Sequence, residues 1–201
     1  MFAVLALGVR DGGTFSWDRS LVEFFDRHYY DLEVVREVVK ALVKVSIGLG
    51  VLLAAALLAV LAVAGELRRA VFWGLTVGGA LVLTRVFKEL IERPEIGIHQ
   101  REYSFPSGNA TAATAGLLAL VLLLPRSRLR RIVVVATVVG LPLYGVALVL
   151  LLWHYPSDVV AGWALGIAWV LTLRLTLGDV SGPLPLGRFG GHPIWRSSGG
   201  A

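Results

Sequence analysis

The chain has no cysteine and a single methionine among its 201 residues. Without thiols there is no disulfide framework, no thiolate nucleophile and no thiolate-bound metal. Redox usage therefore says nothing about compartment. Charge is also scarce. Asp, Glu, Lys and Arg make up 16% of the residues, against about a quarter in a soluble domain. Apolar residues make up 56%, and the mean hydropathy is +0.75. A disordered chain needs the opposite balance, and a collagen-like chain needs a periodic glycine that is missing here. The net charge of +5 invites a nucleic-acid reading. The basic residues cluster at the ends of apolar runs, however, which is the pattern of membrane topology. The composition points to one integral membrane domain and excludes a nucleic-acid partner.

Roughly 20 apolar residues span a bilayer as a helix. Five runs read as full spans: Val43–Ala64, Ala70–Ile91, Ala110–Leu124 (extending back to Ser107), Ile132–Trp153 and Val159–Leu175. Met1–Val9 is apolar but short, and no basic segment precedes it, so it does not read as a complete signal peptide. The expectation is the outer end of a first spanning helix that is shortened or begins outside this sequence. Leu21–Val39 mixes Phe24, Phe25, Tyr29, Tyr30, Leu32 and Val35 with many charges, and reads as an interfacial helix leading into the first full span. The domain is expected over residues 1–176, and residues 177–201, rich in Gly, Pro and Ser, read as a flexible tail.

Arg68 and Arg69 follow the first full span; Arg126, Arg128, Arg130 and Arg131 follow the third; Arg174 closes the fifth, and Arg188 and Arg196 lie in the tail. Alternate helix ends share a side, and the positive-inside rule makes that side cytoplasmic. The opposite, extracytoplasmic side receives Glu92–Ser107 and the turn Trp153–Ser157. The expected location is the plasma (inner) membrane. Trp73, Trp153, Trp163, Trp169 and Tyr144 read as interface anchors or bundle packing. Gly74, Gly78, Gly79 and the Gly162–Gly166 pair permit close helix approach within the bundle, with a homodimer as the alternative use. Pro142 is expected to kink its span.

Ionisable side chains at membrane depth are costly and usually functional. They concentrate in two places, Lys88–Asn109 and His154–Asp158, both on the extracytoplasmic side. In Trp153-His154-Tyr155-Pro156-Ser157-Asp158 a helix ends and another begins, with Ser157 as its expected cap and Asp158 in its first turn. A carboxylate on one ring nitrogen of His154 fixes the tautomer and frees the other nitrogen to attack. The plain alternative is an interfacial histidine and a helix cap. In Phe105-Pro106-Ser107-Gly108-Asn109, Ser107 and Gly108 open an apolar helix whose N–H groups suit a phosphate, with Lys88 and Arg93 as nearby cations. The plain alternative is a capped helix with basic anchors.

Taken together, Lys88 through Arg93-Pro94, Phe105-Pro106-Ser107-Gly108-Asn109 and His154-Tyr155-Pro156-Ser157-Asp158 through Gly162 resemble the three-part signature of the type 2 phosphatidic acid phosphatase superfamily. The resemblance runs from about Trp17 to Leu175, and the third part is the most specific. It implies an all-α polytopic bundle and metal-independent phosphoryl transfer through a phosphohistidine, with no cofactor. His154 would be the nucleophile and Asp158 its orienting carboxylate. Lys88, Ser107 and Gly108 would hold the phosphate of a lipid phosphate or diphosphate, with membrane lipids around it, and Arg93, Arg101 and Asn109 are expected to join them.

Three departures from that signature stand out. Asn109 stands where the family has a histidine acting as general acid; Glu95, followed by Ile96, stands at a usual arginine; Ala147 and Leu148 stand where a Ser-Arg pair is usual. An amide donates a hydrogen bond but releases no proton at neutral pH. Arg85, Arg93, His99 and Arg101 are near enough in sequence to replace the missing cations. A diphosphate substrate, such as a polyprenyl diphosphate, eases the loss of the acid because its leaving phosphate has a second pKa of about 6. The rival reading is a catalytically silent relative that binds or transports a lipid head group. A third is changed chemistry around Glu92, Glu95 and His99, but their spacing makes no recognised metal site.

Overall fold

The computed structural model describes residues 1–10, 15–93 and 104–181. Among these residues the chain is all helical, with seven helices. They are α1 (Phe2–Arg10), α2 (Ser16–Phe25), α3 (Glu33–Val63), α4 (Leu67–Ile91), α5 (Gly108–Leu123), α6 (Arg128–Leu150) and α7 (Pro156–Leu177). Four are long and apolar enough to cross a membrane: α3 with 31 residues, α4 with 25, α6 with 23 and α7 with 22. At 1.5 Å per residue the shortest of these reaches about 33 Å, enough for a hydrocarbon core of about 30 Å.

Helix α5 has 16 residues and reaches about 24 Å. It is the central helix, packed against both α4 and α7, with Ala110, Thr111, Thr114, Ala115, Ala119 and Leu123 buried. Small residues dominate that face because α7 comes very close. A Cβ on Gly162 would lie 2.7 Å from the Ser107 carbonyl oxygen, and one on Gly166 would lie 2.8 Å from that of Thr111. Both contacts are shorter than real Cβ atoms tolerate, so the Gly162–Gly166 pair serves packing inside the bundle. Gly79 is filled by the Trp169 ring and Gly145 by that of Trp163, whereas Gly78 faces open space. Gly162→Ala should therefore cost about 1–3 kcal/mol of stability, while Gly78→Ala, which meets nothing within 4 Å, should leave it unchanged. Thermal unfolding of the two variants in detergent makes the comparison, and equal midpoints would contradict the close α5–α7 contact.

The segment Leu21–Val39 is two helices rather than one. Helix α2 runs on through a π-helical turn, Asp26–Tyr30, and the chain breaks at Asp31 and Leu32. Glu33–Val39 is then continuous with the first full span. Much of α3 is exposed along its length, as suits a peripheral, lipid-facing helix, and it is tied to α4 by the Trp73 indole, which donates to the Ala54 carbonyl at 2.8 Å. Trp169 likewise donates to Leu75 at 3.0 Å. Both rings are thus bundle packing. In α6 a π-helical turn, Ala136–Gly140, precedes Pro142. Proline supplies no N–H to the carbonyl four residues back, and π turns are a recognised place for a helix to bend.

Helix α1 buries Val9 beside Ile91, Phe105 and Ala161, and Phe2 packs edge-on to Phe87 with centroids 4.8 Å apart. It thus covers the end of the bundle where α4 ends and α7 begins. At the opposite end the Arg68 guanidinium donates to the last carbonyl of α7, that of Leu177, through Nε at 2.9 Å and through Nη2. Arg130 does the same for Val121 of α5 at 3.1 Å. Such arginines satisfy carbonyls that the helix ends leave open and sit well on the negative end of the dipole.

Candidate active site

Two helix ends feed the site through left-handed backbone at non-glycine residues. At the end of α4, Glu92 has φ of 39°; after α6, Leu152 has φ of 55°. Around Leu152 the Trp153 N–H bonds the Leu148 carbonyl at 3.1 Å and the Leu152 N–H bonds that of Val149 at 2.8 Å. This is a Schellman stop with leucine where glycine is usual. Left-handed leucine costs about 1–2 kcal/mol, and here that is offset because the side chain is buried with Val22, Val43 and Leu148. Each reversal directly precedes a site segment: Glu92 turns Arg93 inward, and Leu152 delivers Trp153 and His154.

Helix α7 begins with Pro156, whose missing N–H and fixed φ suit the first helical position. The cap residue is Tyr155, so Ser157 is not the cap that its residue type suggested; it lies second in the helix. The Asp158 side chain reaches back, and its Oδ2 accepts from the Tyr155 N–H at 3.0 Å. The same oxygen lies 3.5 Å from Nδ1 of His154. That is longer than a formed hydrogen bond, and Nδ1 has no hydrogen-bond partner among the described residues. His154 is 9% exposed and Asp158 is fully buried.

The other Asp158 oxygen, Oδ1, accepts from Nη1 of Arg93. Nη1 also donates to Ser157 Oγ at 2.9 Å, and Nη2 donates to Asp18 Oδ2 at 3.0 Å. Asp18 Oδ1 accepts from the Ser157 N–H at 2.8 Å, and its Oδ2 accepts from the Ser157 hydroxyl at 2.5 Å. The guanidinium stacks over the Tyr155 ring, 4.0 Å from the centroid. Burial pushes the Tyr155 phenol above its ordinary pKa although Arg93 pulls it down, so its hydroxyl stays neutral. Asp18, Ser157 and Asp158 are fully buried and Arg93 is 3% exposed. Charges this deep persist only when paired and hydrogen-bonded.

The residues expected from sequence are thus placed as follows. Ser107 caps α5, its Oγ accepting from the Ala110 N–H at 3.3 Å and its carbonyl from the Thr111 N–H at 3.0 Å. Its own N–H donates to the Asp158 carbonyl at 3.0 Å, so the starts of α5 and α7 meet directly. The cap leaves the N–H groups of Gly108 and Asn109 as the first-turn donors of α5. Lys88 Nζ lies 3.5 Å from the Ser104 carbonyl and within electrostatic reach of Asp158. Arg93, expected on phosphate, has both terminal nitrogens on carboxylates. Arg85 pairs at 2.8 Å with Glu89 on the exposed side of α4, away from the buried network. Leu148 is fully buried in apolar company. Arg101, Glu95 and His99 lie outside the described residues. Among the described residues no group of three or more His, Asp or Glu side chains has metal-binding geometry.

Asp18 was not expected. Its only signal was position: on a helix it shares a face with Val22, four residues on, and both are buried.

A bundle of apolar helices thus sets a histidine beside a buried acid where two helix N-termini meet. Residues 69–180 match the family model for the PAP2 superfamily. This is more than half of the chain, which belongs to that superfamily, the type 2 phosphatidic acid phosphatases. The family comprises phosphatases and phosphotransferases acting on phosphorylated lipids. With its four apolar helices the chain is an integral membrane protein. Neither a curated protein nor a solved structure gives a significant match.

Proposed function

We propose that this protein hydrolyses or transfers the phosphoryl group of a lipid phosphate or polyprenyl diphosphate at the extracytoplasmic face of the plasma membrane. The observation that carries the reading is the His154–Asp158 pair: Nδ1 lies 3.5 Å from Oδ2 of Asp158, an oxygen that also accepts from the Tyr155 N–H, while Arg93 holds the other oxygen, Oδ1. A proton on Nδ1 facing Asp158 leaves Nε2 as the nucleophile. Nε2 attacks phosphorus, the bond to the leaving oxygen breaks, and a phosphohistidine remains. Water then cleaves the P–N bond and releases phosphate, or an acceptor hydroxyl takes the group. Lys88 and the Gly108 and Asn109 N–H groups neutralise the developing charge, with Ser107 holding their helix start. Arg101 is the expected further phosphate ligand, and Arg93 acts from behind by fixing Asp158. The basic end bearing Arg68, Arg69, Arg128 and Arg130 faces the cytoplasm on the positive-inside rule.

A second reading, a silent head-group binder, is favoured by two observations: Arg93 is neutralised by carboxylates, and Leu148 is apolar and buried. Phosphate release from the purified protein in detergent, without added metal, separates them. Release from a monophosphate lipid or a polyprenyl diphosphate supports the enzyme. Head-group binding without release from either supports the binder.

A further inference from the structure

We infer that Asp18 is a positioning residue for the His154–Asp158 pair, acting through Ser157 and Arg93. Three facts carry this. Asp18 stands on α2, outside the residues 69–180 that match the family, yet its carboxylate is fully buried against the start of α7. Its two oxygens hold three donors: the Ser157 N–H, the Ser157 hydroxyl and Nη2 of Arg93. Pro156 has no N–H, and the Asp158 and Val159 N–H groups bond the Tyr155 carbonyl, so the Ser157 N–H is the one first-turn donor of α7 that the turn itself leaves open.

Asp158 is therefore clamped from both sides. On one side Tyr155 and His154 meet Oδ2. On the other, Arg93 meets Oδ1, and Arg93 is itself aimed by Asp18 and Ser157. With Asp18 in place, Arg93 is shared between two carboxylates and bridges α2 to α7. Without it, one guanidinium nitrogen and the Ser157 N–H lose their acceptor. Arg93 then pulls on Asp158 alone, and the carboxylate is drawn away from the imidazole. A helix outside the matched residues 69–180 thereby sets the geometry of His154.

This inference rests on the phosphohistidine reading for its effect on rate, but not for its effect on the ring. The test uses the full chain in detergent with 15N-labelled histidine, the His154 signals being assigned by difference from His154→Gln. The wild type should show one neutral tautomer, with the proton on Nδ1. In Asp18→Asn, which keeps the shape and loses the charge, the signals should average between tautomers. If the protein turns over, kcat should fall roughly 10–100-fold, the scale of a small misplacement of a reacting group, with KM within about twofold. Ser157→Ala, which removes one of the three links, should give the same change in smaller degree and keeps the test open should Asp18→Asn fail to fold. An unchanged tautomer in a folded variant overturns the inference. Absence of turnover in the wild type, with the tautomer change present, defeats the phosphatase reading and leaves Asp18 as assigned.

Discussion

Arg93→Gln should cost the fold about 3–5 kcal/mol, the scale for stranding buried charge. The guanidinium bridges Asp18 and Asp158, and all three side chains are nearly or fully buried. Glutamine leaves the two carboxylates without the cation that bridges them at the α2–α7 contact. Arg93→Lys keeps the charge but reaches with a single ammonium what the planar fork reaches with two nitrogens, so it should recover only part of the loss. Asp18→Asn combined with Arg93→Gln removes one charge of each sign and should be less damaging than the sum of the two changes. Thermal unfolding of the set in one detergent measures the coupling. Additive effects would mean that the bridge contributes nothing. An Arg93→Gln variant as stable as wild type would mean that Arg93 is not the counter-ion of the buried acids.

The second large effect concerns catalysis. Replacing His154 with alanine should abolish phosphate release, a loss on the order of 10⁴-fold or more, as expected when a covalent nucleophile is removed. Stability should change little, because no hydrogen bond to Nδ1 exists among the described residues and the turn is held instead by backbone bonds at Leu152, Trp153 and Asp158. Loss of release with an unchanged unfolding midpoint is therefore the expected pair of results. Release that survives the substitution at more than about a tenth of the wild-type rate would assign the chemistry elsewhere. The diphosphate should be turned over faster than the monophosphate, since Asn109 cannot protonate a leaving alkoxide.

Much of this arrangement is legible in the residues. The apolar runs mark α3, α4, α6 and α7 because a membrane span must satisfy its backbone internally and present hydrocarbon outward, whereas the run Ala110–Leu124, expected as a fifth full span, gives the shorter helix α5. The start of α7 is marked by Tyr155-Pro156-Ser157-Asp158, and that of α5 by Ser107-Gly108. The identity of the cap was less clear: Ser157 is a good cap residue in isolation, but Asp18 competes for its hydroxyl and its N–H. The break at Asp31 and Leu32 was hidden because apolar and charged residues continue on both sides of it.

The role of Arg93 was beyond reach for a different reason. Charge can be read from a residue, but direction cannot, and its partners lie 75 residues before it and 65 after it. Asp18 was one of several acids on a short amphipathic helix, with Glu23 and Asp26 close by. Only the packing of α2 on α7 distinguishes the acid that is buried. The departures at Asn109 and Leu148 were plain in the sequence, and the structure adds that Leu148 is built into apolar core with Val22 and Val43.

Trapping the covalent intermediate tests the central claim most directly. The protein is mixed with a polyprenyl diphosphate radiolabelled in its terminal phosphate, quenched in alkali within a turnover, and digested for peptide mass spectrometry. The account predicts an acid-labile, alkali-stable phosphoryl group on the imidazole of His154. A quenched sample with no label on His154, whether or not phosphate has been released, would contradict it.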